Sequence, residues 1–396
     1  MTEKPKPRVL IVTRNLPPLV GGMERLNWHM AAALAKFAEV RVIGPGGSAA
    51  MAPHGVAVHE IPLKPLWRFL WLANFSAWRE ARRFRPQVVL AGSGLTAPIV
   101  MLAGLLTNAS TVAYVHGLDL TTRHLMYRCI WISTLRRMHR VVANSNATAA
   151  IAAQIGIDQA RIGIVHPGVA LPDAEPRVHE AEIFRKENNL GKSTLLLSVG
   201  RLSERKGLVE FVREALPRIV AERPDVVLLI VGGVPKDALN SRAQTPKHIQ
   251  AAADELGLGE HIRFMGNVSD RELQVIFAVC DVHVFPIRHI PDDPEGFGMV
   301  AIEAAAHGVP TVAFATGGVI DAVAEGQSGH LVHPGDYSAF ADAVLKIAIR
   351  KEITPHSCRN FASQFEWSQF GVRIFSEVFQ TGDAACRLGG GGHGPC

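Results

Sequence analysis

Short, nearly continuous apolar runs recur along the chain, and most are followed by a segment patterned like a helix. Residues 9–12 form the first such run, and residues 39–43 the second, with a helical pattern over 23–37 between them. Further runs at 88–90, 110–114 and 140–143 are separated by helical patterns, and Asn144, Ser145 and Asn146 follow the last as a helix N-cap signal. A run at 162–165 then meets His166-Pro167-Gly168-Val169, which breaks the pattern. A polar, proline-containing stretch follows, and its lack of periodicity places a linker at about 170–190. A second series begins beyond it: strands at 194–199, 226–231, 261–265, 282–286 and 311–314, with helices at about 207–222, 247–256 and 270–279. Runs apolar on both faces suit parallel strands buried under helices. The expected fold class is therefore α/β: two Rossmann-like domains facing each other across a deep cleft. Residues 361–379 read as one amphipathic helix docking on the body, and the glycine-rich end after it reads as disordered.

One stretch departs from simple alternation. After the strand at 282–286 come Glu295-Gly296-Phe297-Gly298, then the helix formers from Met299 to Ala306, then Gly308 and Pro310 as a stop. Strand, glycine turn and helix leave unpaired N–H groups at the helix start, where an anion such as phosphate can sit. Glu295 and Glu303 flank that start, and carboxylates there can accept hydrogen bonds from hydroxyls. A diphosphate with a polyol at each end fits the layout, which is the shape of a nucleotide-sugar.

Other residues change the picture to different degrees. Arg201 and Lys206 occupy a loop after a strand, where two cations could neutralise a departing diphosphate; beside Glu204 and Arg205 they also fit a solvated charged loop. His116 follows the strand at 110–114, the end at which α/β folds place ligands, but it is one of 17 histidines. Gly21 and Gly22 close the loop after the first strand and can face an anion or acceptor, or simply turn the chain. Their adjacency does not match Gly-x-Gly-x-x-Gly, which argues against a nicotinamide enzyme, and no Gly-x-Ser-x-Gly elbow or complete phosphate loop occurs. Residues 66–86 and 123–140 combine tryptophan with arginine and almost no acid, a composition suited to an anionic membrane surface or to two ordinary packed helices.

Composition adds bounds. The 396 residues allow two domains, and a net charge of +5 suggests anionic partners. Five scattered cysteines without a Cys-x-x-Cys pair read as reduced thiols of a cytoplasmic protein. No signal peptide, membrane span or metal-ligand cluster is expected.

The sequence resembles the retaining glycosyltransferases of family four, which have the GT-B fold. The resemblance covers nearly all of residues 8–380 and rests on an ordered set of motifs. These are Gly21-Gly22-Met23-Glu24-Arg25, Val115-His116-Gly117, Val142-Ala143-Asn144-Ser145, His166-Pro167-Gly168-Val169, Val199-Gly200-Arg201-Leu202 with Lys206-Gly207, Glu295-Gly296-Phe297-Gly298 with Glu303-Ala304, and Thr316-Gly317-Gly318. It implies an acceptor-binding domain over 1–175, a nucleotide-sugar domain over 176–358, a helix at 359–380 crossing back, and a disordered tail at 381–396. It implies that Arg201 and Lys206 stabilise the leaving diphosphate, that Gly296, Phe297, Gly298 and Met299 hold the donor through their amides, and that Glu295 contacts the donor sugar. Glu303 would bind the ribose, while His116, Gly21 and Gly22 would lie toward the donor sugar and acceptor. No cofactor or metal is implied. The expected activity is transfer of a hexose to a lipid-linked or glycan acceptor in cell-surface polysaccharide or glycolipid synthesis, in the cytoplasm at the inner face of the membrane, without nucleic acid. A nucleotide-sugar epimerase of the same fold and a non-catalytic basic binder of membrane or nucleic acid are the alternatives. The charged loop at 288–294 is a departure with no assigned role.

Overall fold

The computed structural model describes residues 6–122, 124–172, 178–234, 244–290 and 293–379. The chain divides into two compact units, one running to Gly168 and resuming at Trp367, the other spanning Val169–Glu366. The tail expected at 381–396 lies outside the described residues.

Unit 1 is built on a seven-stranded sheet. Its strands are β1 (Arg8–Val12), β2 (Glu39–Pro45), β3 (Val56–Ile61), β4 (Val88–Ala91), β5 (Ser110–Val115), β6 (Arg140–Ala143) and β7 (Ile162–Ile164). The order is β3-β2-β1-β4-β5-β6-β7, every pair parallel. Val9, Leu10, Ile11 and Val12 are buried because β1 is central and covered on both faces. The Leu66–Phe84 and Ala97–Thr107 helices cover one face of the sheet. The Gly22–Ala35 and Trp367–Phe379 helices cover the other, where Phe370, Ile374 and Val378 join the core. An Arg140–Glu377 ion pair at 2.6 Å fastens the last helix to β6.

Unit 2 carries β8 (Thr194–Val199), β9 (Val226–Val231), β10 (Ile262–Gly266), β11 (Val282–Phe285), β12 (Thr311–Phe314) and β13 (Gly329–Val332), in the order β10-β9-β8-β11-β12-β13, again all parallel. In each sheet the strand order reverses once: between β1 and β4 in unit 1, and between β8 and β11 in unit 2. The loops leaving the two strands diverge at such a point and open a crevice at their carboxyl ends.

Several elements differ from expectation. The linker expected at 170–190 contains a helix, Val178–Glu187. Ala181 and Phe184 pack against the core under β8 and β9, and Arg185 donates to the carbonyls of Gly191, Ser193 and Val279. Tertiary contacts thus fold a segment whose own periodicity is weak. The helix expected to run to residue 222 breaks at Ala215, giving Leu208–Glu214 and Leu216–Glu222, because Pro217 has no N–H to continue the ladder. The single helix expected at 361–379 is two, Pro355–Ser363 and Trp367–Phe379. Phe361 and Phe365 belong to the core of unit 2 and Phe370 and Ile374 to that of unit 1, so the break falls where the chain changes units. Unit 2 accordingly extends to Glu366 rather than to 358. Strands β3 and β13, unmarked by any continuous apolar run, complete the two sheets.

Candidate functional site

In unit 2 the two loops at the strand-order reversal carry most of the charged candidates. After β8, Gly200 takes a φ of 141°, which a side-chain-bearing residue rarely adopts, and Arg201 follows with an exposed side chain. The 204–206 turn then ends at Gly207, where a Cβ would strike the Pro286 carbonyl in the loop after β11. The two loops are therefore in contact through backbone. Arg288 N–H donates to Arg205 O at 2.8 Å, and Arg205 donates to the Pro294 carbonyl at 2.9 Å and Asp293 at 3.1 Å. The charged loop at 288–294 is thus tied to Arg205, whose role the sequence left within a solvated loop.

Glu295 stands at the centre of this charge. Lys206 Nζ donates to its Oε2 at 3.1 Å, and Arg205 Nε lies 3.6 Å from the same oxygen. The Lys206 and Glu295 side chains are 15% and 13% exposed, so the pair is largely shielded but reachable. Burial acts to raise the Glu295 carboxyl, and Arg205, Lys206 and Arg201 outweigh it, holding the group at about 2. Burial pushes the Lys206 ammonium below its ordinary value, with Glu295 opposing, and Lys206 also lies over the Phe285 ring at 4.5 Å. Arg201 acts electrostatically on both groups.

The sign of the pH effect follows from the depressed carboxyl. Glu295 stabilises the fold fully above its unfolded value of 4.5, and this contribution is lost as pH falls toward about 2. Acid unfolding of the wild type should steepen across that window, and Glu295→Gln should flatten it in urea-unfolding midpoints measured against pH.

The helix start beyond Glu295 is seated by glycines. Gly298 is the N-cap of Met299–Ala306 with φ 88°, and Gly318 N–H donates to Glu295 O at 3.0 Å. A Cβ on Gly317 would meet the Glu295 carbonyl, and one on Gly318 would meet the Gly296 carbonyl and the Phe297 Cα. Thr316-Gly317-Gly318 thus serves as the bed on which residues 295–298 lie. Phe297 is 2% exposed and its ring packs against Phe365 at 5.7 Å, so only its main chain is available to a ligand. Met299 and Glu303 are half-buried on the first turns of the helix.

Unit 1 gathers its own candidates at the reversal between β1 and β4. Gly21 is the N-cap of the Gly22–Ala35 helix, and Glu24 on its first turn accepts from Asn15 Nδ2 at 2.7 Å. Asn27, one turn on, donates to Met23 O and to Gly92 O just after β4, and its Oδ1 is buried without a partner. His116 follows β5: its N–H donates to Asp119 Oδ2 at 2.9 Å, and Asn144 Nδ2 lies 3.5 Å from its Nδ1. Burial lowers the His116 imidazole, opposed by Asp119, the Gly92 backbone and Glu24, so the ring is neutral near pH 7. Its Nε2 is buried with no protein partner. Gly21, Gly22 and His116 are therefore brought to one end of one sheet, with Asn27 and Asp119 as polar members that no motif had singled out.

The profile of the glycosyl transferases group 1 matches residues 179–365, and that of glycosyltransferase family 4 matches residues 20–171. The chain belongs to the group 1 glycosyltransferases. Among relatives of this group 1 glycosyltransferase, it is 28% identical over 353 residues to a GDP-mannose-dependent alpha-(1-6)-phosphatidylinositol monomannoside mannosyltransferase of Mycolicibacterium smegmatis, covering 85% of this chain and 88% of that one. It is 32% identical over 237 residues to D-inositol 3-phosphate glycosyltransferase 2 of Catenulispora acidiphila, covering 58% of this chain and 53% of that one. The chain spans about half the length of the inositol-phosphate glycosyltransferases it matches. A structure of Anabaena Alr3699/HepE in complex with UDP superimposes with a TM-score of 0.74 at 18% identity, covering 96% of this chain and 100% of that one. The group 1 glycosyltransferase thus has the GT-B fold, as its two parallel-sheet units and this neighbour show.

Proposed function

We propose that the chain is a retaining glycosyltransferase that moves a hexose from a nucleotide-diphosphate sugar to a lipid-linked or glycan acceptor, in cell-surface polysaccharide or glycolipid synthesis. The observation that carries this reading is the Arg201, Arg205 and Lys206 cluster gathered around Glu295 at the strand-order reversal of unit 2, beside a glycine-capped helix start. A diphosphate placed there can take the N–H groups that a helix start leaves without intrahelical partners, and gains Lys206 and Arg201 as counter-charges. The negative charge that grows on the nucleotide as the sugar–phosphate bond lengthens is stabilised by these fixed cations, without a metal ion. Glu295 stays ionised at neutral pH, so it accepts hydrogen bonds from sugar hydroxyls rather than donating a proton. Glu303 accepts from the ribose hydroxyls. Within unit 1, His116 is neutral and its buried Nε2 has no protein partner, so it can hydrogen-bond a sugar hydroxyl. Retention follows from attack on the face the leaving phosphate occupies, the phosphate itself accepting the acceptor's proton.

HepE was crystallised with UDP and with UDP-glucose, and the mycobacterial relative is named for GDP-mannose and a phosphatidylinositol mannoside. UDP-glucose and GDP-mannose are therefore the first donors to assay, with lipid extracts as acceptor. The wild type should transfer hexose into the lipid fraction from one of them, and Glu295→Ala should not. Failure of the wild type with every donor would contradict the proposal, and interconversion of the free nucleotide-sugar without acceptor would replace it with the epimerase reading.

A further inference from the structure

The helical face of unit 1 beneath which Phe69, Ala73, Ala81, Val100 and Ala103 are buried has an outer side that is apolar too. On the Leu66–Phe84 helix, Trp67, Trp71, Phe75 and Trp78 recur three or four positions apart and so share one stripe, 71%, 66%, 50% and 37% exposed. Trp71, Phe75 and Trp78 stack along it, at 6.4 and 6.0 Å between ring centroids. The neighbouring Ala97–Thr107 helix, apolar all round, leaves Leu102, Leu105 and Leu106 exposed. It packs in turn against the helical turns at 128–135, where Ile130 is exposed and Trp131 Nε1 is anchored on Leu95 O at 2.7 Å, and Leu125 and Met126 are exposed on the turn just before them. A helix apolar on every side belongs in an interior or against lipid, and water is a poor neighbour for this one.

Charge identifies the occupant. Residues 61–157 hold eleven Lys and Arg against two acids, Glu80 and Asp119, while the whole chain nets only +5. Asp119 is bound within the fold by the His116 N–H, and Glu80 is engaged by Arg41 at 3.1 Å. Arg68, Arg82, Arg83, Arg85, Arg128, Arg136 and Arg137 are exposed, and Arg82 stacks on Trp78 at 4.3 Å. A second copy of the chain would bring this positive surface against itself, and nucleic acid gives the exposed leucines nothing to bury in. Among the described residues no helix is long and apolar enough to cross a membrane. We propose that the three helical segments together form one face that docks on an anionic lipid bilayer, the indoles and leucines entering the headgroup boundary and the arginines meeting lipid phosphates. The Ala97–Thr107 helix, which carries no charge, is as much a part of this face as the two basic stretches.

Docking requires no donor, so it can fail or succeed apart from the transfer chemistry. The full chain is sedimented with vesicles of phosphatidylcholine alone and with phosphatidylglycerol added, at low and high salt. The wild type should bind the anionic vesicles, and neutralising Arg68, Arg82, Arg83 and Arg85 to Gln should weaken partition at least roughly a hundredfold. Leu102→Ser with Leu105→Ser should also weaken it, at both salt concentrations, whereas Val372→Ser, 63% exposed on the last helix, should not. Thermal unfolding of each variant separates lost docking from lost folding. Absence of wild-type binding, equal binding to neutral vesicles with no effect of the arginines, or self-association or RNA binding that the same variants abolish while vesicles stay free would each overturn the proposal.

Discussion

Lys206→Ala should lower the transfer rate by about two to three orders of magnitude while the protein remains folded. The ammonium is hydrogen-bonded to Glu295 and is confined between that carboxylate and the Phe285 ring. Its position is therefore set before any ligand arrives, and a preplaced charge costs no reorganisation as negative charge develops on the nucleotide. Breaking a fully buried ion pair costs about 3–5 kcal/mol, because the partner is left uncompensated. Here Arg205 remains 3.6 Å from Glu295, and the pair is partly open to water, so the stability loss should be well below that range. Single-turnover transfer assays beside urea unfolding distinguish the cases. A large stability loss with an unchanged single-turnover rate would assign Lys206 to the fold alone.

Gly318→Ala should destabilise unit 2 by about 3 kcal/mol and weaken nucleotide binding with it. The backbone at Gly318 has φ −76°, which alanine adopts without strain, so the effect is purely one of space. The added methyl would fall on the Gly296 carbonyl and the Phe297 Cα, and these are backbone atoms that cannot rotate aside. The loop carrying Glu295 must shift, and with it the alignment of the carboxylate with Lys206 and of the helix start with a phosphate. Gly46→Ala, with open space around the position, serves as the control and should stay within about 0.5 kcal/mol of wild type. Equal stability of the two variants would show that the Gly317-Gly318 bed does not constrain the loop.

Much of the fold was legible because its strands are buried on both faces. β6, β8, β9 and β12 coincide with apolar runs, and the helix at Asp270–Val279 begins and ends at the residues expected from the sequence. Elements held by context were not legible. The Val178–Glu187 helix rests on Phe184 in the core and on Arg185, which reaches the distant Val279 carbonyl, and β3 alternates with His59 and Glu60 at an edge. The break after Ser363 follows from which core receives each phenylalanine, a matter of tertiary placement that periodicity cannot encode. At the site, glycine spacing marked the helix start and the flanking glutamates. It could not mark Arg205 and Asp293, since their part depends on two loops meeting at the reversal between β8 and β11. The charge density of the Leu66–Phe84 helix was plain in sequence, whereas the exposed leucines of its neighbour look in sequence like any buried helix.

Placement of the donor diphosphate in the cation cluster around Glu295 makes nucleotide affinity depend on Lys206. It is tested most directly by titrating UDP and GDP into the wild type and Lys206→Ala side by side, at low and moderate salt. One of the two nucleotides should bind the wild type, and Lys206→Ala should weaken it by at least roughly tenfold, an effect that shrinks as salt screens the charge. Equal affinity of the two proteins for that nucleotide would contradict it.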